Sequence, residues 1–288
     1  MSCRRFSAGI AAAGLLLVTL GASALAAPPA DDKPDCWGYG KASQIIAACT
    51  EVLDAESATS KLRAALLKRA NAYFESYAYA LAVRDYDRLE SLAHGLDPES
   101  SLNRGKSLER IGDRQAADRD FDKVIQTMRR TIIDQSRFSD RVWAYQLRAS
   151  AYVGKRQPQP AVDDLNHAID LAKDAELYDQ LCRTRALANY GPGDGLAACN
   201  AAIHKYGGKT AGRFGRGITY LRLDRFDEAL DDFNAALKAP QRYPDTLYLR
   251  GVVEARKGLT DLSSRDLARA RTLDPTVDGF FEGWGIAP

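Results

Sequence analysis

The sequence is poor in the residues and motifs from which active sites are commonly built. Only three histidines occur in 288 residues, and none has a candidate metal ligand four residues later. The HExxH, GxSxG, GxGxxG and phosphate-loop patterns of metalloproteases, hydrolases and nucleotide-binding proteins are missing. We therefore expect no catalytic residue, no metal site and no cofactor, and hence a protein that is not an enzyme.

An excess of charge of either sign is also lacking. The formal net charge is +2, and it falls to zero when Arg4 and Arg5 are left out. A protein that binds nucleic acid in general carries a basic surface that neutralises phosphates. We therefore expect no nucleic-acid partner.

Long apolar runs are absent except near the start of the chain. Arg4 and Arg5 precede an apolar run from about Ile10 to Leu20, and small residues up to Ala26 follow. This order is typical of a secretory signal peptide, so we predict a cleaved signal over residues 1–26 and a flexible leader over 27–40. A membrane anchor is the alternative, but the run is too short to cross a bilayer core of about 30 Å, and we expect no stable membrane insertion. The protein is predicted to be periplasmic or secreted, and a Sec signal fits better than a twin-arginine one.

Two adjacent segments repeat each other at a fixed distance. Gly217 and Gly251 are 34 residues apart, and each is followed by a small residue 12 positions later, a large one 16 positions later and alanine 19 positions later. The same frame recurs at Ala70, Gly105 and Ala149, and in a degenerate copy at Ala186. A fixed period of this length indicates a stacked-repeat architecture.

In these residues the chain resembles the tetratricopeptide repeat (TPR) family, and within it the secreted or periplasmic bacterial TPR-containing proteins. Tyr220, Ala229, Phe233 and Ala236 follow Gly217 at the family's positions, although the family's early tryptophan is missing. The resemblance implies an all-α fold, a right-handed superhelical solenoid of antiparallel helix-turn-helix repeats. We expect about six repeats over residues 41–275, one of them degenerate. The step from Gly105 to Ala149 is 44 residues, which predicts a longer second helix or an extra turn there.

Residues 276–288 depart from the repeat pattern. Phe280, Phe281, Trp284 and Ile286 make this segment too apolar for a free tail. We predict a C-terminal cap that folds over the exposed face of the last helix pair, as terminal caps do in solenoids. The alternative is a docking peptide for a partner.

An arginine precedes the small residue of every repeat, and in five of them an aspartate follows 16 residues after the arginine. We predict structural ion pairs, because partly buried arginines need partners; the alternative is a row of arginines that binds an acidic ligand. The predicted pairs are Arg69 with Asp85, Arg104 with Asp120, Arg148 with Asp164, Arg216 with Asp232, and Arg250 with Asp266. Arg185 is the exception, since Ala198 takes the place of the aspartate, and it is therefore the first arginine to test for a ligand.

Four cysteines remain after the predicted signal. An even number in an exported protein suggests disulfides, which for four cysteines allow three connectivities. Cys182 and Cys199 lie one helical turn from positions that face each other in an antiparallel hairpin, so we predict Cys182–Cys199 and therefore Cys36–Cys49. Four buried free thiols are the alternative.

A stack of helical hairpins has a concave face lined by the first helices. The residues flanking the small position are expected to point into this groove: in the C-terminal repeats Phe214, Ile218, Tyr248 and Val252, and in the N-terminal repeats Leu67, Asn71, Leu102 and Lys106. We predict a non-catalytic scaffold that binds a protein or peptide partner in an apolar C-terminal groove, although these side chains could instead belong to the core. A structural subunit of an envelope or export complex, or an envelope enzyme without a recognisable motif, is the alternative.

Overall fold

The structure, a computed structural model, describes residues 35–55, 58–134, 137–205, 207, 211–238 and 243–288. The predicted signal peptide and most of the predicted leader lie outside the described residues. Within the described ranges the chain forms fourteen α-helices and no strand. The all-α fold expected from the repeat pattern is confirmed.

The helices follow one another at short intervals. They are α1 (Ala42–Ala55), α2 (Thr59–Glu75), α3 (Tyr79–Ala93), α4 (Pro98–Arg110), α5 (Arg114–Ile133), α6 (Phe138–Gly154), α7 (Pro158–Ala172), α8 (Ala175–Ala188), α9 (Pro192–Lys205), α10 (Arg213–Arg222), α11 (Phe226–Ala236), α12 (Tyr243–Arg256), α13 (Thr260–Leu273) and α14 (Val277–Glu282). Helices α2 to α13 pack as six successive pairs, α1 packs against α2, and α14 follows the last pair.

The small residue of each repeat allows its two helices to approach closely. A Cβ atom added at Gly217 would lie 2.7 Å from Cε1 of Phe233, and one added at Gly105 would lie 2.7 Å from Cε1 of Phe121. The large residue 16 positions later therefore fills the space that the missing side chain leaves. This packing explains why the sequence frame of a small and a large residue marks each hairpin.

Local signals fix where several helices begin. The Asp97 carboxylate accepts a hydrogen bond from the Ser100 amide at 2.9 Å, with Pro98 in the first turn, and Asp113 caps α5 through Ala116 at 3.0 Å. Both are N-cap arrangements. Helix α5 has 20 residues, so a longer second helix accounts for the wide step between Gly105 and Ala149.

The first helices of the pairs form the inner layer of the solenoid. Helices α2, α4, α6, α8, α10 and α12 contact one another in series, whereas in the described part of the chain the second helices do not. The end of the chain returns to the second repeat, where α14 contacts α4. None of the described helices is long and apolar enough to cross a membrane.

Candidate functional site

A cavity of about 620 Å³ lies on the inner side of α4, α6 and α8. We call it the central cleft, and its floor is formed by Leu102, Lys106, Trp143, Leu147, Gln180 and Thr184. Tyr79 from the first repeat and Phe280 and Trp284 from the C-terminal segment add aromatic walls. The volume is in the range of known ligand sites, which hold about 300–1,000 Å³.

Hydrogen bonds orient the polar side chains of the cleft. The Gln180 amide donates to the Ser150 hydroxyl at 2.9 Å and to the Gln146 carbonyl at 3.1 Å. The indole N–H of Trp143 donates to a Glu99 carboxylate oxygen at 2.8 Å, which holds a half-buried ring at the cleft surface. The cleft thus presents a fixed aromatic plane beside amide groups.

A buried guanidinium closes one end of the cleft. The guanidinium carbon of Arg110 lies 3.7 Å from the ring centroid of Phe280 and 5.5 Å from the ring centroid of Tyr79. Burial pulls its pKa down, but the carboxylates of Asp245 and Asp274 outweigh burial, and the pKa is raised overall. Burial also raises the pKa of Tyr79, so both groups keep their ordinary charge state at neutral pH.

A second arginine stacks on the C-terminal segment. The guanidinium of Arg156 lies 3.4 Å from the ring centroid of Trp284, and its Nη2 donates to Glu109 at 2.9 Å. Burial raises the pKa of Glu109, while it lowers the pKa of Arg156 to about 10. The stack is a cation–π contact in a water-poor setting, where such contacts are strongest.

The arginines of the repeat frame form a separate feature, away from the cleft lining. All five paired arginines donate from Nε and Nη2 to the two oxygens of the aspartate 16 residues later, as in Arg104 with Asp120 at 2.7 and 2.8 Å. Arg104 also donates from Nη1 to Asp87 and Glu90 of the preceding second helix. Each fork ties the two helices of one repeat together, and the Nη1 contacts of Arg104 tie the second repeat to the first.

Arg185, the first arginine to test for a ligand, has two polar contacts within its own repeat. Its Nη1 lies 3.4 Å from a carboxylate oxygen of Asp194 and donates to the Tyr190 carbonyl at 3.4 Å. Its side chain is 12% exposed, and it does not line the central cleft. Asp194 is three residues past the turn glycine Gly191, so the shortened connection supplies a substitute partner for the missing aspartate.

Structural comparison defines the fold. No family model matches the sequence, and a search of the curated proteins found no match. A solved tetratricopeptide repeat protein from Parabacteroides merdae ATCC 43184 is similar with a TM-score of 0.56 and 12% identity, over 85% of this chain and 92% of that one. The chain has the tetratricopeptide repeat fold. Another solved structure, the APC/C hetero-tetramer Cut9–Hcn1, is similar with a TM-score of 0.50 and 12% identity. The match covers 85% of this chain and 46% of that one.

The predicted C-terminal groove is not an open surface of this TPR solenoid. Phe214 is 7% exposed, and Ile218, Tyr248 and Val252 are fully buried in one apolar cluster. The prediction that they line an accessible groove is wrong, because Phe281 and Ile286 of the C-terminal segment pack into the same cluster and cover them.

The N-terminal repeats contribute to the cleft instead. Leu102 and Lys106 line it, while Leu67 packs against apolar clusters and Asn71 accepts a hydrogen bond from Tyr86 at 2.5 Å. Repeat spacing alone did not single out Trp143, Gln180, Arg110 or Arg156. Trp143 carries the clearest sequence signal, since it stands in a first helix two turns before Ser150, the residue that follows the small position of its repeat, and therefore on the same face as Ser150.

The four cysteines lie in two pairs, one between the segment before α1 and α1 itself, and one between α8 and α9. Cys36 and Cys49 have Cα atoms 4.6 Å apart, and Cys182 and Cys199 have Cα atoms 4.7 Å apart, both within the range of a disulfide. All four side chains are buried. The first pair fixes the segment before α1, and the second fixes α8 to α9 in the degenerate repeat.

Proposed function

We propose that the protein is a non-catalytic TPR scaffold that binds a protein or peptide partner in the central cleft. The observation that carries the proposal is the convergence of α4, α6 and α8 on one cleft with an anchored aromatic ring and amide groups. An aromatic plane and amide groups are what a peptide needs, since a peptide presents apolar side chains and a polar backbone.

The volume of the cleft, about 620 Å³, favours a short segment over a broad protein surface. Trp143 and Leu147 offer apolar contact from α6, and Gln146 and Gln180 offer amide groups beside them. We propose that a partner inserts a few residues, one of which packs on the Trp143 ring. An aromatic anchor of this kind commonly dominates the binding energy.

We also propose that the scaffold works in the periplasm or outside the cell. Two cysteine pairs at disulfide distance support this, since disulfides persist in oxidising compartments. The predicted signal over residues 1–26 points to the same location.

The experiment is a pull-down from envelope extract with matched variants of one helix. Trp143→Ala removes the anchor of the cleft, and Phe138→Ala removes an aromatic ring that is 53% exposed at the start of the same helix and does not line the cleft. We expect Trp143→Ala to lower partner recovery by about tenfold or more, while Phe138→Ala leaves it unchanged. Equal recovery with both variants, with their circular dichroism unchanged, would overturn the proposal.

A further inference from the structure

The C-terminal segment, residues 276–288, lies along the inner face of the last repeats. The Phe281 ring stacks on Tyr248 with centroids 5.2 Å apart and planes at 9°. Phe281 and Ile286 are buried in the cluster that contains Phe214, Ile218 and Val252. The segment thus occupies the surface on which α10 and α12 would otherwise offer an apolar groove.

Side chains of the solenoid hold this segment as they would hold a bound peptide. Arg222 donates from Nη2 to the Trp284 carbonyl at 2.8 Å, and Arg256 donates to the Ala287 carbonyl at 3.1 Å. Arg110 and Arg156 stack on Phe280 and Trp284. Capture of main-chain carbonyls together with aromatic anchors is typical of peptide recognition.

The packing of the segment leaves polar groups unsatisfied. In the described residues, the Tyr248 hydroxyl, the Trp284 indole N–H and Nη1 of Arg156 are buried without a hydrogen-bond partner. Tyr248 and Arg156 are the residues on which Phe281 and Trp284 stack. A buried polar group without a partner weakens the packed state relative to one in which it is satisfied.

We infer that residues 276–288 are a displaceable internal ligand, and that the groove beneath them accepts a partner segment of the same chemistry. That segment is a short helical turn with two adjacent aromatic residues and a third aromatic residue three positions later, as in Phe280, Phe281 and Trp284. A partner that also pairs the unsatisfied groups has an advantage over the internal segment. The inference extends the proposed function from the open cleft to the covered part of the same inner face.

The test uses the full chain and a fluorescently labelled synthetic peptide of residues 276–288. The double variant Phe280→Ala with Trp284→Ala removes both arginine stacks and leaves Phe281 in place, so the internal segment is held less tightly. We expect this variant to bind the peptide about tenfold more tightly than the parent does. A control peptide with alanine at positions 281 and 284 is expected to bind neither protein. A folded double variant that binds the peptide no better than the parent would overturn the inference.

Hydrogen exchange of the parent chain decides the matter if the double variant does not fold. The amides of Phe280, Gly283, Trp284 and Ile286 are hydrogen-bonded within the segment. We expect them to exchange about a hundredfold faster than those in the middle of α12, because the segment opens locally. Equal rates would mean that the segment opens only with the whole protein, and the inference would fail.

The two proposals can fail separately. Trp143→Ala is expected to leave binding of the labelled peptide unchanged, since Trp143 is outside the cluster that holds Phe281. If the double variant binds the labelled peptide more tightly but Trp143→Ala leaves partner recovery unchanged, the cleft proposal fails and the inference about the C-terminal segment stands.

Discussion

Arg110 and Asp245 form an ion pair across 135 positions of sequence. Nη2 of Arg110 lies 2.9 Å from one oxygen of Asp245 and 3.0 Å from the other, and Nη1 lies 3.0 Å from Asp274. Both carboxylates are buried. The end of the first helix of the second repeat is thereby joined to the start and the end of the sixth repeat, and this contact closes the inner face on which the cleft lies.

Arg110→Ala is expected to lower the free energy of unfolding by about 3–5 kcal/mol, because two buried carboxylates lose an ion pair. Urea unfolding followed by circular dichroism measures the change. Arg114→Ala is the matched control: its side chain is 39% exposed and pairs with Glu109 and Asp118 at 3.3 and 3.2 Å. The control is expected to lose no more than about 1 kcal/mol. Similar losses for both variants would contradict a closing role for Arg110.

The ladder arginines are expected to differ from Arg185 in their effect on stability. Arg104→Ala removes a fork to Asp120 and two contacts to the preceding helix, all at 2.9 Å or less, and we expect a loss of about 3 kcal/mol. Arg185→Ala removes a 3.4 Å contact to Asp194, whose side chain is 77% exposed, and a 3.4 Å hydrogen bond to the Tyr190 carbonyl, so the loss should be smaller. Chemical unfolding of the two variants compares them directly, and an equal loss would refute the assignment of the ladder to structure.

We predict that Glu254 lowers the stability of the folded state as the pH rises. It stands where other repeats carry Tyr73, Tyr152 and Tyr220, and one of its carboxylate oxygens is buried without a partner among the described residues. Burial, followed by the charge of Asp266, raises its pKa above the ordinary value of 4.5. The folded state therefore holds a proton that the unfolded state releases first, so stability falls as the pH rises above about 4.5.

Glu254→Gln should remove this fall. We expect the free energy of unfolding to exceed that of the parent by about 1–2 kcal/mol at pH 7, and by less towards pH 4. Urea unfolding at several pH values measures this difference. Glu228→Gln is the control, because Arg225 donates a hydrogen bond to that exposed carboxylate and lowers its pKa. A gain for Glu254→Gln that does not change with pH would contradict the explanation.

The cysteine pairs predict the thiol content of the chain from residue 27 onwards. Denatured, unreduced protein without residues 1–26 is expected to show no free thiol, and reduction should release all four. The double variant Cys182→Ser with Cys199→Ser should lose about 3 kcal/mol of stability by the chain-entropy argument. Four free thiols before reduction would show that the cysteines are unpaired.

The sequence predicted the parts of the fold that depend on local spacing. The pairing of Arg216 with Asp232 follows from offsets within one hairpin, and the close contact of Gly217 with Phe233 follows from the repeat frame. Both are set within about 20 residues of chain, where helical geometry alone fixes which side chains meet.

The parts that depend on curvature could not be predicted. Arg110 meets Asp245 only because small rotations between neighbouring repeats accumulate around the superhelix, and no local pattern records that sum. The groove prediction failed for the same reason. Tyr248 stands at a groove position of its repeat, but whether it is open depends on where the C-terminal segment lies.

The most direct test of the central claim is site-specific photo-crosslinking in living cells. A benzophenone amino acid placed at Gln146 lies in the cleft, and one at Gln126 lies on the second helix α5, away from the cleft lining. If the cleft is the binding site, position 146 forms a crosslink to a partner and position 126 does not. A crosslink to the same partner from position 126, with none from position 146, would place the binding surface elsewhere and contradict the account.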